Sequence, residues 1–542
     1  MKRHALLFVS ALALAACNPG SDNTQIDTTE ATQPDALPQL EFQKFTLDNG
    51  IDVVLHVDDS DPLVAINLAV HVGSAREVVG KTGFAHLFEH LLFLDSENLG
   101  YGGLDAMNTR IGGEGTNGFT TTDMTQYFQA VPKDALEKIV WAEADKIGWF
   151  INTVNQNVID REKQVVKNEK RQRVDNQPYG HNFYVIGKAL YPDGHPYNHQ
   201  VIGSLDDLES ATLQDTKDFF ERWYGPNNVT VTITGDFDPA EARTFVEKYF
   251  GEIPRGADIP DAEPQPSNLS ERQDFFHEDN FATLPRLTMV WPTVEEYHPD
   301  SYALSVLMTY LTDGKRAPFN EVLIDEEQLT TSVGGFTYFK ELSGEVYLIL
   351  SSKDGEDIDG LMPAIETAFA RFEENGIPED ALGRIKTEAE VAVYDEVQSA
   401  LGKAIAMAEY NLFRDDPGYL DDDIAALRAV TAEDVMDVYN RYIKDKPFVT
   451  TSFVPKGQAE LALEGAEVAE VVEEVVVQGA EADVPYDPDA RIFEPTPSSF
   501  DRTVEPPFGE GYTLPTPDNW HFARGHAHNR KAVLNLCLPD IR

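Results

Sequence analysis

The chain carries the stretch Gly83-Phe84-Ala85-His86-Leu87-Phe88-Glu89-His90-Leu91-Leu92-Phe93, in which two histidines and a glutamate form an H-x-x-E-H pattern. Its apolar residues recur at helical spacing, which predicts an amphipathic helix. Residues four apart share one helix face, so His86 and His90 can reach one metal ion, with Glu89 beside them. The pattern is typical of metal-dependent hydrolases, but this spacing also arises by chance on amphipathic helices.

Length and composition limit the class of protein. A chain of 542 residues with 42% hydrophobic residues is too long for one core, so we expect at least two globular domains. A formal charge of -50 argues against nucleic-acid binding, because the surface would repel phosphates. A strongly hydrated surface explains the excess of acidic residues more simply than an acidic binding face for basic substrates does. Only Cys17 and Cys537 are present, which excludes a disulfide framework.

The amino terminus is typical of an export signal. Met1-Lys2-Arg3-His4 precedes an apolar run at 5–16 that is too short to span a bilayer. The run ends in Leu14-Ala15-Ala16-Cys17, which resembles the lipobox of bacterial lipoproteins; an ordinary signal peptide with an incidental cysteine is the alternative. We therefore expect a lipoprotein signal at 1–17, lipidation of Cys17, and export to the bacterial periplasm with a lipid anchor in a membrane, which we expect to be the outer membrane.

Three further segments contain few apolar residues that could be buried in a core. Residues 18–38 are rich in Ser, Asn, Asp, Thr and Pro, which predicts a flexible tether. Residues 457–520 are acidic and then Pro-rich, which is typical of a linker. Residues 521–542 turn basic and His-rich, which indicates an atypical tail or the truncated start of a further domain.

The remaining chain alternates blocks of strands with blocks of helices. Turn chemistry at Asp48-Asn49-Gly50 predicts a hairpin between 42–47 and 51–57. Further along we predict a strand at 64–72, a Gly-rich stretch at 102–118, a Thr-rich strand at 119–131, and helices at 135–151 and 157–173. Elements in blocks indicate an α+β fold with an antiparallel or mixed sheet.

A helix and strand pattern occurs twice. Thr212-Leu213-Gln214-Asp215 begins a helical pattern that leads into a strand at 229–233, and Thr431-Ala432-Glu433-Asp434 begins another that leads into 448–453. The offset of roughly 220 residues far exceeds solenoid periods and favours duplicated domains, although two unrelated units would look alike. A boundary rich in Pro, Asp and Gly lies at 254–268. We therefore predict two homologous domains, at 39–258 and 266–456.

A third metal ligand is needed, since catalytic zinc sites usually have three protein ligands and one position for water. Glu169 is the best candidate, because Val165 and Val166 mark a buried helix face and Glu162 lies two turns earlier on the same side. From these residues alone, a solvated helix carboxylate is the commoner role for such a glutamate.

Five segments together resemble a known family, in that family's order: the inverted zinc motif at 86–90; the Val-Val-x-x-Glu helix ending at Glu169; the strand 116–121; the segments 195–197 and 201–204; and 223–228 leading to 235–236. The family is that of pitrilysin and insulysin, inverted-motif zinc metallopeptidases that include mitochondrial processing peptidase. The resemblance covers roughly Leu40 to Lys456. It implies two homologous domains, a catalytic zinc peptidase domain at 39–258 and an inactive one at 266–456. Each would be a mainly antiparallel or mixed sheet covered by helices, and together they would form the amino-terminal half of a clamshell.

The resemblance also implies the roles of individual residues. His86, His90 and Glu169 would bind one zinc ion per chain, Glu89 would act as general base, and Glu162 would be an acidic residue that supports the site. Such a site would make the chain a zinc-dependent endopeptidase that hydrolyses oligopeptides or small unfolded proteins.

The strand near Asn117 is a candidate for substrate binding. A Thr-rich, Gly-flanked edge strand leaves backbone groups free, so an extended peptide can add to it as another strand. In the family a corresponding edge holds the substrate, which makes Asn117, Gly118 and Phe119 the expected substrate-binding residues; an ordinary edge strand is the alternative. We interpret Thr120 and Tyr127 as structural.

One stretch departs from the family pattern. Ile324 and Thr331 stand where two-domain members often carry an Arg and a Tyr that contact substrate across the chamber. We therefore expect those contacts to come from a second half, a partner subunit or a homodimer. The alternative function is a non-catalytic, zinc-stabilised peptide-binding or scaffold half that needs a partner chain.

Overall fold

Two six-stranded sheets form the framework of the chain. The computed structural model describes residues 40–260, 262–353 and 355–472, which fall within one compact unit. The first sheet contains β1 (Gln43–Thr46), β2 (Asp52–Val57), β3 (Leu63–Val70), β4 (Glu114–Thr120), β5 (Thr125–Pro132) and β6 (Val229–Gly235). The second contains β7 (Gln273–Asp279), β8 (Arg286–Thr293), β9 (Thr330–Phe339), β10 (Gly344–Ser352), β11 (Val449–Pro455) and β12 (Glu467–Val468).

Both sheets have nearly the same topology. The strand orders are β1-β2-β6-β3-β5-β4 and β12-β7-β11-β8-β10-β9. In each, one interior pair is parallel, β2 with β6 and β7 with β11, and the next three pairs are antiparallel. The sheets differ at one margin, where β1 is antiparallel to β2 but β12 is parallel to β7. The predicted α+β fold with two similar helix-covered sheets is confirmed.

Helices cover both sheets. The first half contributes α1 (Phe84–Leu91), α2 (Gly103–Ile111), α3 (Leu136–Trp149), α4 (Gln156–Lys170), α5 (Asn182–Leu190), α6 (Leu205–Ser210), α7 (Leu213–Trp223) and α8 (Pro239–Tyr249). The second contributes α9 (Pro299–Thr312), α10 (Pro318–Asn320), α11 (Leu361–Asn375), α12 (Glu379–Glu396), α13 (Ala400–Arg414), α14 (Leu420–Ala429) and α15 (Ala432–Val438). π-Helical turns follow three of them, at Arg171–Asp175, Glu321–Glu326 and Tyr439–Ile443. Within the described ranges no helix combines the length and apolarity needed to cross a bilayer.

The repeated helix starts are built alike. Thr212 and Asp215 form a reciprocal capping box at the start of α7, and Thr431 and Asp434 form the same box at the start of α15. Each box satisfies backbone N–H groups that have no partner within the helix. The sequence echo therefore corresponds to equivalent structural positions in the two halves.

The predicted single strand at 119–131 is wrong, because the chain turns back on itself there. β4 and β5 are antiparallel neighbours joined at residues 121–124. The hydroxyl oxygen of Thr121 accepts hydrogen bonds from the backbone N–H groups of Asp123 and Met124, at 3.1 Å each. A Thr hydroxyl thus stabilises this turn, which contains neither the glycine nor the proline that commonly indicates a turn in a sequence. The Gly-rich stretch before it also contains a regular element, α2.

One helix from each half packs on the sheet of the other. Ala404 of α13 packs against Ala65 and Ala130 of the first sheet, and Asn411 donates a hydrogen bond to Thr230 Oγ1 at 2.9 Å. Lys403 of the same helix pairs with Asp58.

The reciprocal contact is made by α5. Ile186 and Leu190 lie in one buried cluster with Val290, Tyr347 and Val449 of the second sheet. Each sheet is therefore covered in part by a helix from the other half of the chain.

The predicted linker begins too early at residue 457. Residues up to 472 instead complete the second sheet, because Leu461, Leu463 and Ala469 bury apolar side chains there. The remainder of the predicted linker, the predicted signal, Cys17, the tether 18–38 and the tail 521–542 lie outside the described residues. The domain limits at 39–258 and 266–456 stay a prediction.

Candidate metal centre

The helix that carries the H-x-x-E-H pattern starts at a buried acidic cap. Gly83, which precedes α1, has a φ of 90°, a conformation that favours glycine. The Glu77 carboxylate accepts hydrogen bonds from the backbone N–H groups of Gly83 and Ala85, at 2.8 Å each. His199 Nε2 lies 3.2 Å from the same carboxylate. This cap fixes where the helix begins and therefore the direction in which its histidines project.

Three potential ligands meet between α1 and α4. Donor atoms of His86, His90 and Glu169 all lie within 4.8 Å of one another. Glu169 Oε2 is 3.6 Å from His86 Nε2 and 3.2 Å from His90 Nε2. The two imidazole rings lie at 85° to each other, with centroids 4.9 Å apart. The structure thus brings together the three residues that the sequence proposed as ligands.

Two charged residues flank this triad. Arg173 Nη1 lies 2.6 Å from Glu169 Oε1, the oxygen of Glu169 that does not face the histidines. Glu162 is buried, and its Oε2 lies 3.8 Å from His90 Nδ1. Glu162 is therefore placed beside a histidine rather than within the triad.

Two members of the triad have the protonation of a metal ligand, whereas the pKa of His90 is raised, against the effect of its burial, by its hydrogen bond to Glu169, so His90 must lose a proton to bind a cation. Burial, and the neighbouring His90, lower the pKa of His86 to about 4. The hydrogen bond with His90 lowers the pKa of Glu169 to about 2. A neutral imidazole and an ionised carboxylate are the forms that bind a divalent cation.

The distances fit a zinc ion. Donor atoms about 2.1 Å from one tetrahedral zinc are separated by roughly 3.4 Å, close to the separations of 3.2 and 3.6 Å around Glu169 Oε2. His86 Nδ1 is buried and has no hydrogen-bond partner among the described residues. Two imidazole nitrogens and one carboxylate oxygen are also a donor set that zinc accepts.

Glu89 lies beside the triad and is held by the neighbouring sheet. Thr120 Oγ1 donates a hydrogen bond to Glu89 Oε2 at 2.7 Å, and burial raises the pKa of Glu89. Gly118 allows this approach, because a Cβ atom there would lie 3.3 Å from Glu89 Cγ and 2.9 Å from the carbonyl oxygen of Gln126. Sequence reasoning missed Thr120, which it interpreted as structural, and Arg173. Only the four-residue spacing to Glu169 could have indicated Arg173.

The proposed substrate strand lies at the edge of the first sheet. β4 pairs with β5 on one side and is the last strand in the sheet order. Gly118 and Thr120 face Glu89, so Phe119 points to the opposite face of the sheet. Asn117 is exposed on that same side of the strand.

The two positions that depart from the family pattern lie in the second half. Ile324 is half-buried in the π-helical turn Glu321–Glu326, and Thr331 is exposed near the start of β9. Neither carries a charged or phenolic group that could contact a substrate carbonyl.

The chain is similar to known proteins. The family model described as "Insulinase (Peptidase family M16)" matches residues 52–195, which include the candidate metal centre. The model described as "Peptidase M16 inactive domain" matches residues 210–389. Together the two models match more than half of the chain.

Individual relatives and solved structures agree with the family models. The zinc protease PqqE of Helicobacter pylori is 27% identical over 421 residues, which are 76% of this chain and 93% of that protein. The crystal structure of a protease from Helicobacter pylori matches with a TM-score of 0.70 and 25% identity, over 77% of this chain and 100% of that one. The periplasmic protease PqqL from Escherichia coli has the same fold, with a TM-score of 0.65 and 18% identity, over 79% of this chain and 49% of that one.

Proposed function

Because the chain belongs to peptidase family M16, we propose that it is a zinc-dependent endopeptidase that hydrolyses oligopeptides or small unfolded proteins. The observation that carries this proposal is the convergence of His86, His90 and Glu169 beside Glu89. Three ligands leave one coordination position for water, as catalytic zinc sites require. A carboxylate that lies next to the ligands without joining them is suited to proton transfer.

Each residue of the site has its own role in the proposed reaction. When bound, zinc would lower the pKa of a coordinated water toward about 7 and polarise the scissile carbonyl. Glu89 takes a proton from the attacking water and passes it to the leaving amine, while the Thr120 hydroxyl holds the carboxylate in place. Glu162 lies close enough to His90 to orient its ring, and Arg173 holds the second oxygen of Glu169.

The edge strand β4 is suited to bind the substrate. A peptide that adds to this edge gains main-chain hydrogen bonds and runs past Glu89, which contacts Gly118 and Thr120 of the same strand. Main-chain recognition orients the scissile bond without demanding one sequence. Asn117, Gly118 and Phe119 are therefore the proposed substrate-binding residues.

We propose that the chain is exported, anchored in a bacterial membrane through Cys17, and active in the periplasm. The related Escherichia coli protein is described as a periplasmic protease, and this chain matches 49% of it. A second half, a partner subunit or a second copy would complete the chamber and supply the contacts that Ile324 and Thr331 cannot make.

A non-catalytic half is the second candidate function. Ile324 and Thr331 favour it, because neither supplies the guanidinium or phenol group that two-domain members often carry at these positions. The match to an inactive domain covers residues 210–389 and does not include the metal centre. In this alternative the chain would bind zinc and peptide but hydrolyse nothing until a partner joined it.

The test uses the full chain with zinc and a library of quenched fluorescent peptides. We expect about one zinc ion per chain, and a loss of hydrolysis of roughly 10²- to 10⁴-fold in Glu89→Gln with zinc retained. The control Glu366→Gln removes an exposed carboxylate and should keep full activity. A protein that takes up no zinc, or a Glu89→Gln variant as active as the wild type, contradicts the proposal. Activity that appears only with an added second half, and that is unchanged by Glu89→Gln in this chain, would support the alternative.

A further inference from the structure

The turn between β4 and β5, residues 121–124, is packed against backbone on one side. We call it the β4–β5 turn. The carbonyl oxygen of Thr122 accepts a hydrogen bond from the backbone N–H of Ala75 at 2.7 Å. A Cβ atom at Gly73 would clash with the carbonyl oxygen of Thr121, so this close approach requires glycine. Backbone contacts therefore leave the turn little freedom on this side.

The other side of the β4–β5 turn contacts the second half of the chain. It meets the β9–β10 turn, which comprises residues 340–343 between β9 and β10. Asp123 Oδ2 accepts a hydrogen bond from the backbone N–H of Glu341 at 3.2 Å. The Glu341 carboxylate pairs with Arg76 at 3.0 Å and with His71 at 2.9 Å. The two turns, which join equivalent strands of the two sheets, are therefore in direct contact.

Tyr197 bridges the two turns with one hydroxyl group. The hydroxyl donates a hydrogen bond to Asp123 Oδ1 at 2.8 Å and accepts one from the backbone N–H of Leu342 at 2.8 Å. Tyr197 and Asp123 are both buried, with 4% of each side chain's residue surface exposed. The Lys340 ammonium group lies 4.4 Å from the centre of the Tyr197 ring and adds a cation–π contact. A buried hydroxyl that both donates and accepts holds the two turns at a fixed distance.

Asp123 is a buried carboxyl group that the proposed reaction does not use. Burial, and then the neighbouring Glu341, raise its pKa, whereas the hydrogen bonds from Tyr197 and Thr122 lower it. Thr122 Oγ1 donates to Asp123 Oδ2 at 2.8 Å, the oxygen that also accepts from the backbone of Glu341. A buried carboxyl group is costly without such donors, so the loss of any one of them weakens the contact between the turns.

The β4–β5 turn is short, so its position determines the position of the residue that holds the base. Asp123 follows Thr120 by three residues, and Thr120 Oγ1 donates to Glu89 Oε2 at 2.7 Å. Thr121, between them, accepts hydrogen bonds from the backbone N–H groups of Asp123 and Met124 and so keeps the turn closed. A hydrogen bond weakens steeply as its geometry departs from the optimum. A displaced turn would therefore weaken the bond to Glu89.

We propose that Tyr197 is a positioning residue, which holds the β4–β5 turn on the β9–β10 turn and thereby holds Thr120 against Glu89. This inference rests on the proposed peptidase function and adds a residue to its machinery. The β9–β10 turn lies within residues 210–389, which match the model of an inactive domain. The second half would thus contribute to catalysis through this turn, without any contact with the substrate.

The test is a double-mutant cycle on kcat, measured with the zinc-loaded full chain and one quenched peptide. Tyr197→Phe should lower kcat roughly two- to tenfold while the zinc content stays constant. In the Thr120→Val protein, Tyr197→Phe should lower kcat no further, because the bond through which it acts is already lost. The control Tyr249→Phe removes a hydroxyl that donates to Glu137 at 2.8 Å on the surface, and it should keep the full rate. An equal loss in both backgrounds, or no loss in either, would overturn the inference.

Hydrogen exchange separates this inference from the proposed function. Mass spectrometry of the zinc-loaded protein without substrate follows the two turns and, as an internal reference, α8. Both turns should exchange faster in Tyr197→Phe than in the wild type while α8 keeps its rate, and this result would support the contact even if the wild type hydrolyses nothing. Asp123→Asn, which keeps the size of the side chain but only one acceptor oxygen, is the substitute if Tyr197→Phe does not fold, as judged by circular dichroism. Unchanged exchange at both turns, or an equal rise in α8, would overturn the inference.

Discussion

Replacing Thr120 by valine removes one hydroxyl group from the candidate site and nearly preserves the shape of the side chain. The hydroxyl donates to Glu89 Oε2 at 2.7 Å and favours the ionised form of a carboxyl group whose pKa is raised by burial. A hydrogen bond to a charged group contributes roughly 1.5–3 kcal/mol. At about 1.4 kcal/mol for each factor of ten, the loss corresponds to a roughly ten- to hundredfold lower rate.

The assay measures kcat and KM for one quenched peptide, together with zinc content by mass spectrometry. We expect kcat to fall in Thr120→Val while zinc content stays constant, because Thr120 contacts the base and not the ligands. Thr120→Ser restores the hydroxyl and should recover most of the rate. An unchanged kcat in Thr120→Val, or a serine variant as slow as the valine variant, would refute the assignment of Thr120 as a positioning residue for Glu89.

Two further predictions concern stability. Lys403 holds the pKa of Asp58 well below its usual range. The pair therefore stabilises the fold above the ordinary aspartate pKa of about 4, and this stabilisation is lost as the pH falls through the lowered pKa. The melting temperatures of wild type and Lys403→Met should converge at low pH, and a constant difference between them would contradict this. Glu77→Ala leaves the N–H groups of Gly83 and Ala85 without their acceptor. The free energy of unfolding, measured by urea denaturation, should fall by about 1–3 kcal/mol, and zinc binding should weaken in chelator competition. An unchanged urea midpoint would argue against the role of Glu77 as a helix cap.

Local patterns in the sequence were sufficient to predict several elements. The first hairpin was predicted from Asp48-Asn49-Gly50, and its strands pair as expected. The amphipathic helix around His86 was predicted from apolar spacing, and the structure has it as α1. Glu169 needed the family resemblance, because nothing in its own helix distinguishes a ligand from a solvated carboxylate.

Other features depend on contacts between distant parts of the chain, which local patterns do not encode. β6 lies between β2 and β3 although it follows them by a long stretch of helices. The hydrogen bond from Thr120 to Glu89 joins a strand to a helix. The turn at Thr121 was missed because a hydroxyl group, and not glycine or proline, forms it.

The reciprocal packing of α5 and α13 determines how this protein can move. If the chain were cut between the two sheets, each sheet would lose a helix from the other half that covers it, so neither piece would keep a complete core. Asn411 and Thr230, buried at this crossing, would lose their mutual hydrogen bond if the halves swung apart. We therefore expect the described part of the chain to move as one unit. Under the proposed function, this unit would have to move as a whole against a second half or partner to admit a peptide.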